Sequence, residues 1–400
     1  MAQVQGHCDP RFEHLRALFQ QNLDDGVDLG ASLHIVMNGR PVVDLWGGFA
    51  DPAKTHPWTE NTIVNVYSTT KTIASLALLI LIDRGLVDVN APVSKYWPEF
   101  AQNGKEKILV RHILSHTSGI CGWEEQLTHA DMSDVKRVTT LLEEQAPWFE
   151  PGTKLGYQMW TMGFLIGEIV RRVTGLSLTE FVDKEIAGPL GADFQIGAKE
   201  KDWDRVATMI PPPPLTDPLA HPPPTDSMDK NSLVYKTFTN PPQDASYSNT
   251  SAWRLAEIGA ANGHGSAKGI ATILSHFITQ GGQADQPTTN PLPRPLSPET
   301  LSLIFQAQIT SNDEVIGYKM KLGVGFGLRG DGTTIADSFL PPGDRICYWG
   351  GWGGSWASMD LDRGVTIVFV MNKMANVGLG GKAAPEFVKA VSATLGVEVK

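Results

Sequence analysis

The chain has 400 residues, of which 42% are hydrophobic and 19% are charged, and its formal net charge is -10. These proportions are those of an ordinary folded protein and exclude wholesale disorder, and the length suits one large domain or two interleaved ones. The negative charge repels polyanions on average, so we expect no nucleic-acid partner.

The cysteines and the apolar runs bear on the cellular location of the protein. Cys8, Cys121 and Cys347 are an odd number at wide spacing, which fits neither a disulfide framework nor a zinc site. The first residues lack a basic start followed by an apolar stretch, and the longest apolar run, at 76–82, is too short to span a bilayer. We therefore expect a cytoplasmic protein that does not bind membranes.

Strand signals and one apolar helix open the chain. Residues 30–51 contain two β-rich runs around Asn38-Gly39, a dipeptide typical of tight hairpin turns. Residues 69–84 are apolar nearly all round and stop at Gly85, a favourable residue for a helix C-terminus. This pattern predicts an antiparallel sheet followed by a buried helix.

Helical signals dominate from about residue 86 to residue 200. One segment, LVRHILSHTSG, predicts a helix that ends at Gly119, and another, MGFLIGEIVRRVTG, predicts a helix that ends at Gly175. In the second helix two arginines in the last turn complement the helix dipole. This part of the chain is predicted to be mainly helical.

Two proline-rich stretches interrupt the pattern. The segment 211–224, PPPPLTDPLAHPPP, can form neither a helix nor an interior strand. It is predicted to be a linker, with a lid over a binding cleft as the alternative. The stretch that starts at Pro287 is predicted to be a loop for the same reason.

Strand signals return after residue 320, where Asp331-Gly332 and Asp362-Arg363-Gly364 mark tight turns. Strands at both ends with helices between them predict an α/β (α+β) fold, in which an antiparallel sheet is flanked by helices and a mainly helical domain is inserted. We place the sheet domain at 1–85 and 290–400 and the helical domain at 86–289.

The segment VYSTTK, at 66–71, carries the strongest chemical signal. A serine hydroxyl is a weak nucleophile that needs a base within hydrogen-bond reach. Because residues three apart share a helix face, Lys71 can lie beside the Ser68 oxygen. If Ser68 lies in the first helical turn, free backbone N–H groups there favour an oxyanion.

The pattern Ser-x-x-Lys alone is weak, because it also occurs at Ser133 and Ser227. Ser227 follows the proline-rich tract and Ser133 opens a polar segment. Only Ser68 precedes a buried helix that would desolvate its lysine and lower the lysine pKa. Ser68 is therefore the predicted nucleophile.

Four ordered motifs carry a resemblance to a known family. They are VYSTTK, then VRHILSHTSGI at 110–120, EPGTKLGY at 150–157 and YWGGWGGS at 348–355. Together they resemble the serine β-lactamase and penicillin-binding-protein superfamily, and most closely its esterase branch, the family VIII carboxylesterases. The resemblance implies a β-lactamase-like fold similar to that of the class C enzymes.

The resemblance also implies roles for individual residues. Ser68 would form the acyl-enzyme, Lys71 would help to deprotonate it, and Tyr157 would share the proton transfer. A tyrosine needs a nearby cation to act as a base, and Lys71 is the candidate for that cation. The family's third motif matches Trp349-Gly350-Gly351, where a backbone N–H of Gly351 or Trp352 would complete an oxyanion hole with that of Ser68.

Two departures from the family pattern concern the substrate. Where β-lactamases usually carry an asparagine two residues after the tyrosine and a lysine on the strand, this chain has Met159 and Trp349. Both changes remove polar groups that hold the amide and carboxylate of a β-lactam. Trp349 is expected to form an apolar wall that favours neutral esters or acyl groups.

Other kinds of site are less favoured. His116 invites a Ser-His-Asp interpretation, but its segment is predicted to be structural, a turn that closes a helix. The segment around Ser355, GGSWA, lacks the last glycine of a Gly-x-Ser-x-Gly elbow. His112 and His116 are four apart, but Ile113 occupies the position of a metalloprotease glutamate, so no metal and no other cofactor is expected.

The predicted function is therefore hydrolysis of carboxylic esters through an acyl-serine, with a small-molecule ester or acyl donor as the substrate. One alternative is an acyltransferase of a secondary-metabolite pathway, similar to the lovastatin-type transesterases of the superfamily, in which an alcohol replaces water. Less favoured alternatives are a weak β-lactamase and a non-catalytic binding protein with the same fold.

Overall fold

The computed structural model describes residues 3–213, 228–280, 292–376 and 379–399. Strands come from both ends of the chain and from its middle. In chain order they are β1 Gln5–Cys8, β2 Gly30–Met37, β3 Arg40–Gly48, β4 Val64–Asn65, β5 Phe194–Ile196, β6 Gly263–Gly265, β7 Ile309–Asn312, β8 Lys319–Leu322, β9 Gly327–Leu328, β10 Ile346–Gly350, β11 Trp356–Asp360 and β12 Val365–Met371.

Nine of the described strands form one antiparallel sheet in the order β1-β3-β2-β12-β11-β10-β9-β8-β7. The N-terminal and C-terminal parts of the chain meet where β2 pairs with β12, with Leu33 opposite Phe369. Asn38 and Gly39 both have a positive φ in the turn between β2 and β3, so the hairpin prediction is confirmed. The short strands β4, β6 and β5 form a second, three-stranded sheet.

Helices alternate with these strands along the described parts of the chain. The α-helices are α1 His14–Asp24, α2 Thr70–Asp83, α3 Val110–Leu114, α4 Val135–Glu144, α5 Thr161–Thr174, α6 Leu178–Phe181, α7 Gly188–Leu190, α8 Leu233–Phe238, α9 Ser251–Leu255, α10 Ala267–Leu274, α11 Pro298–Phe305, α12 Ala336–Phe339 and α13 Ala383–Thr394.

Both faces of the large sheet are covered. On one face Phe369 of β12 packs against Phe387 of α13, with ring centroids 5.3 Å apart. On the other face the Ser32 hydroxyl of β2 accepts the N–H of Ala267, the first residue of α10. Because side chains alternate along a strand, these contacts place α13 and α10 on opposite sides. The predicted antiparallel sheet flanked by helices is confirmed.

The helix that follows the predicted nucleophile is buried along almost its whole length. Residues 70–81 of α2 are buried, and α2 packs against α5 and α11. Gly85 has φ 70°, and the N–H of Leu86 donates to the carbonyl of Leu81, which closes the last turn. The predictions of a buried helix and of its end are both confirmed.

The helix predicted to end at Gly119 is shorter than expected. It stops at Leu114 because His116 adopts the left-handed conformation, with φ 56°. The Thr117 N–H donates to the His112 carbonyl and the His116 N–H to the Ile113 carbonyl, the two bonds that end a helix at such a residue. A histidine therefore occupies the position that glycine usually takes, whereas the helix predicted to end at Gly175 does end there.

Several predictions fall at or beyond the limits of the described residues. The proline-rich segment 211–224 lies outside them from residue 214 onward, as does the second stretch up to residue 291. The domain boundaries near residues 85 and 290 stay predictions. Among the described helices, none is both long enough and apolar enough to cross a membrane.

Candidate active site

Ser68 lies in a short 3-10 turn, Tyr67–Thr69, between strand β4 and helix α2. The preceding Tyr67 has φ 43°, a conformation that is costly for a bulky residue. Its contacts fix it there: the Tyr67 hydroxyl donates to the Ala245 carbonyl over 3.2 Å, and its ring meets Trp352 edge-on at 5.3 Å. The strained residue thus holds the backbone of the predicted nucleophile in one orientation.

The Ser68 hydroxyl is the point where three predicted residues meet. Ser68 Oγ lies 2.7 Å from Tyr157 Oη and 3.1 Å from Lys71 Nζ. Lys71 reaches it from one helical turn along the chain, and Tyr157 from the segment that precedes α5. The residues that the motifs single out are therefore in hydrogen-bond contact, as a nucleophile and its proton-transfer partners must be.

Lys71 is buried in surroundings that favour a neutral amine. Its side chain is 1% exposed, and burial lowers its pKa well below the usual 10.5. Nζ also lies 2.8 Å from the Met159 carbonyl and 2.9 Å from the Ala260 carbonyl. A neutral amine has two N–H groups for these two carbonyls, which directs its lone pair at the Ser68 hydroxyl.

Tyr157 differs from the expectation that a lysine cation would make it a base. Burial raises its pKa above the usual 10, and the hydrogen bond with Ser68 opposes this only in part. Lys71 Nζ lies over the tyrosine ring, 4.8 Å from its centroid, instead of beside the hydroxyl. Burial therefore favours the protonated phenol at Tyr157 and the unprotonated amine at Lys71.

Asp313 holds the backbone of Tyr157 and has no signal in the sequence. Its Oδ1 accepts the N–H groups of Tyr157 at 3.2 Å, Val315 at 2.8 Å and Ile316 at 3.1 Å. The side chain is 3% exposed, and burial raises its pKa to about 6 against the lowering effect of these N–H donors. Asp313 is 156 residues from Tyr157 in the chain, and no local motif predicts such a contact.

His116 packs against the aromatic side chains next to Ser68. Its ring lies 5.0 Å from that of Tyr157 and 5.4 Å from that of Trp349, and its Nδ1 accepts the Gln158 N–H. Burial lowers its pKa well below 6.5, so the imidazole is neutral. No contact among the described residues joins it to Ser68. Within the same residues there is no cluster of three or more histidine, cysteine or carboxylate side chains that could hold a metal ion.

The third motif brings a glycine-rich turn next to Ser68. Trp349, the penultimate residue of β10, is 3% exposed and packs on Tyr157 and His116, so its ring supports these residues more than it faces solvent. A Cβ on Gly351 would lie 2.2 Å from the Val66 carbonyl oxygen, which explains the glycine at this close approach. Gly350 ends the strand beside it.

The backbone N–H groups of this turn narrow the choice of oxyanion donors. The Gly351 N–H donates to the Ser355 carbonyl over 2.8 Å and is therefore occupied. The N–H groups of Ser68 and Trp352 have no acceptor in the part of the chain that the structure describes. Of the two donors considered for the third motif, Trp352 remains the candidate.

Of the other two Ser-x-x-Lys patterns, the one whose serine the structure describes offers no comparable surroundings. Ser133 is exposed, and its hydroxyl donates to the Ala130 carbonyl. Lys136 is also exposed, so nothing there desolvates the amine. Ser227 lies outside the described residues.

Comparisons with known proteins agree on one family. A family model described as Beta-lactamase matches residues 15–388. The chain is similar to the esterase/beta-lactamase LipL of Mycobacterium tuberculosis, with 32% identity over 296 residues, which make up 70% of this chain and 66% of LipL. The aligned part thus spans just under two thirds of the length of LipL.

Two further similarities concern enzymes of different kinds. The crystal structure of a family VIII carboxylesterase matches with a TM-score of 0.87 and 35% identity, covering 98% of this chain and 99% of that chain. The acyltransferase calJ of Penicillium decumbens is 35% identical over 164 residues, which make up 34% of this chain and 38% of calJ.

Proposed function

This chain belongs to the beta-lactamase family, and on that premise we propose that it is a carboxylesterase that acts through an acyl-Ser68 intermediate. The observation that carries the proposal is the position of Ser68 Oγ, in contact with both a buried lysine amine and a tyrosine hydroxyl. The similarity to a family VIII carboxylesterase over nearly the whole length of both chains supports ester hydrolysis as the reaction.

The proposed mechanism starts with Lys71. Its lone pair takes the proton of the Ser68 hydroxyl while Ser68 Oγ attacks the carbonyl carbon of the ester. The N–H groups of Ser68 and Trp352 stabilise the negative charge on the carbonyl oxygen. The Tyr157 hydroxyl gives its proton to the departing alkoxide, which leaves as an alcohol, while Lys71 keeps the proton of Ser68.

Hydrolysis of the acyl-enzyme then repeats the proton path in reverse. Water attacks the acyl carbonyl and gives a proton to the Tyr157 oxygen, and the same N–H groups stabilise the second oxyanion while Lys71 still holds the proton of Ser68. The proton returns to Ser68 Oγ as the carboxylic acid departs. The cycle needs no group other than those of this chain and water.

Esters are favoured over β-lactams by two side chains. Met159 and Trp349 stand where the family resemblance places an asparagine and a lysine, and both are buried and apolar. Without those polar groups, the carboxylate of a β-lactam would be buried with no polar partner at these two positions, which is costly. A neutral ester carries no such charge.

An acyltransferase is the second candidate, favoured by the similarity to calJ. It would use the same acyl-Ser68, with an alcohol in place of water in the second half of the reaction. Addition of candidate alcohols to an esterase assay separates the two, because a transferase diverts the acyl group from acid to a new ester.

The substrate and the location are also part of the proposal. We expect a small-molecule ester and no polyanionic partner, in line with the net charge of -10. A cytoplasmic location is supported by Cys8, Cys121 and Cys347, which are all buried free thiols.

A direct test compares hydrolysis of short-chain p-nitrophenyl esters with hydrolysis of a chromogenic cephalosporin. Ser68→Ala should abolish ester turnover, whereas Ser133→Ala, at the exposed serine of a second Ser-x-x-Lys pattern, should leave it unchanged. Cephalosporin turnover that exceeds ester turnover would contradict the choice of substrate. Ester turnover of Ser68→Ala at the wild-type rate would overturn the proposal.

A further inference from the structure

Ser355 lies in the segment GGSWA, which resembles part of a nucleophile elbow, yet its side chain is engaged in another way. It is 2% exposed, and its Oγ donates to the Val66 carbonyl over 2.7 Å. Oγ also lies 2.9 Å from the Thr69 hydroxyl. Since the only hydroxyl proton of Ser355 goes to Val66, the Thr69 hydroxyl must be the donor in the second bond.

These two contacts bracket the predicted nucleophile. Val66 and Thr69 lie on either side of Ser68 in the chain, two residues before it and one after it. Ser355, in turn, closes the glycine-rich turn that carries Trp352, because its carbonyl accepts the Gly351 N–H. One serine thus joins the segment that holds the Ser68 N–H to the turn that holds the Trp352 N–H.

Other contacts between these two segments are less directional. The backbones touch at Gly351, whose missing side chain allows the approach to Val66. The ring of Tyr67 meets that of Trp352 edge-on. Neither contact is directional enough to fix two N–H groups to within a few tenths of an ångström, whereas hydrogen bonds weaken steeply with distance and angle.

We propose that Ser355 is a positioning residue that holds the N–H groups of Ser68 and Trp352 at the spacing required to bind one oxyanion. This inference rests on the proposed function and adds a residue to it. Ser355 touches neither the substrate nor the reacting atoms. It acts through two bonds to the residues around Ser68, so its effect falls on the transition state more than on substrate binding.

The test compares Ser355→Ala with Ser358→Ala, a matched control. Ser358 lies three residues further along, in β11, is also buried, and has no hydrogen bond to the segment 66–69. Ser355→Ala should lower kcat for a p-nitrophenyl ester about tenfold or more while KM changes little, because loosened oxyanion donors cost less than deleted ones. Ser358→Ala should leave kcat at the wild-type value.

A second readout separates positioning from general damage. An arylboronic acid forms a tetrahedral anion on Ser68 Oγ and therefore reports the oxyanion donors without turnover. Its affinity should fall in Ser355→Ala by the same factor as kcat/KM. Unchanged boronic acid affinity, or wild-type kcat in Ser355→Ala, would overturn the inference.

A third variant keeps the inference testable if Ser355→Ala does not fold. Thr69→Val removes one of the two bonds and keeps the shape of the side chain, so it should lower kcat and boronic acid affinity together by a smaller factor. Equal losses in Thr69→Val and Ser358→Ala would overturn the inference. A different result would overturn the proposed function itself: a wild-type protein that neither hydrolyses esters nor binds the boronic acid.

Discussion

Lys71 Nζ lies 3.1 Å from Ser68 Oγ, and the two remaining polar neighbours of that amine are carbonyl oxygens. The arrangement suits a neutral lysine, whose pKa burial lowers well below 10.5. The base is active only when unprotonated. We therefore predict that kcat/KM for a neutral ester rises with pH through the lowered pKa of Lys71 and then levels off. A kcat/KM that falls as the pH rises through this range would contradict the role of Lys71 as the base.

The same burial affects folding. Between 10.5 and the lowered pKa, the unfolded chain binds a proton at Lys71 that the folded chain does not, so this residue makes stability rise with pH in that window. Lys71→Met should abolish turnover and remove this part of the pH dependence of the free energy of unfolding. Lys136→Met, at an exposed lysine, is the control. It should preserve both turnover and the pH dependence of the free energy of unfolding.

Tyr157→Phe tests the proton relay. Loss of the hydroxyl that contacts Ser68 Oγ should lower kcat about a hundredfold or more, as expected for a lost general acid and base. Tyr348→Phe is the control, because Tyr348 is also buried but its hydroxyl only approaches the sulfur of Met320. Equal rates for Tyr157→Phe and the wild type, measured by release of nitrophenol, would remove Tyr157 from the mechanism.

Asp313 offers a test of how Tyr157 is held. Asp313→Ala frees the Tyr157 N–H and should lower kcat about tenfold, since misplacement of a proton-transfer group is costly. Asp313→Asn keeps an oxygen acceptor and should keep kcat close to that of the wild type. If the two variants have equal kcat values, the carboxylate oxygen does not position Tyr157.

Asp313 also predicts a pH effect on stability. Its pKa is raised from 3.8 to about 6 in the folded chain, so the folded state holds a proton that the unfolded state releases between these values. The resulting stabilisation is complete below 3.8 and is lost as the pH rises through 6. Asp313→Asn should remove this loss, which thermal unfolding at pH 4 and pH 7 can measure.

Features with local signals were predictable from the sequence. The Asn38-Gly39 hairpin, the buried helix after Ser68 and the end of α5 at Gly175 each follow from a turn dipeptide, an apolar run or a helix-ending glycine. The motifs also indicated which residues should meet. Ser68, Lys71 and Tyr157 do lie in contact.

Features that depend on distant parts of the chain were not predictable. Asp313 reaches Tyr157 across 156 residues and Ser355 reaches Val66 across 289, and a single sequence gives no sign of either contact. The helix predicted to end at Gly119 stops early because packing holds His116 in a left-handed conformation that its residue type does not favour. The neutral state of Lys71 likewise depends on burial that only the folded chain provides.

The most direct test of the account is the mass of the protein after brief exposure to a short-chain p-nitrophenyl ester. We predict one acyl group per chain, located by peptide mapping on Ser68, present in the wild type and in Ser133→Ala and absent from Ser68→Ala. A rapid acid quench after the exposure should help to trap it, because acid protonates the groups that deacylation needs in their basic form. An acyl group on another residue, or nitrophenol release by Ser68→Ala at the wild-type rate, would contradict the assignment of Ser68 as the nucleophile.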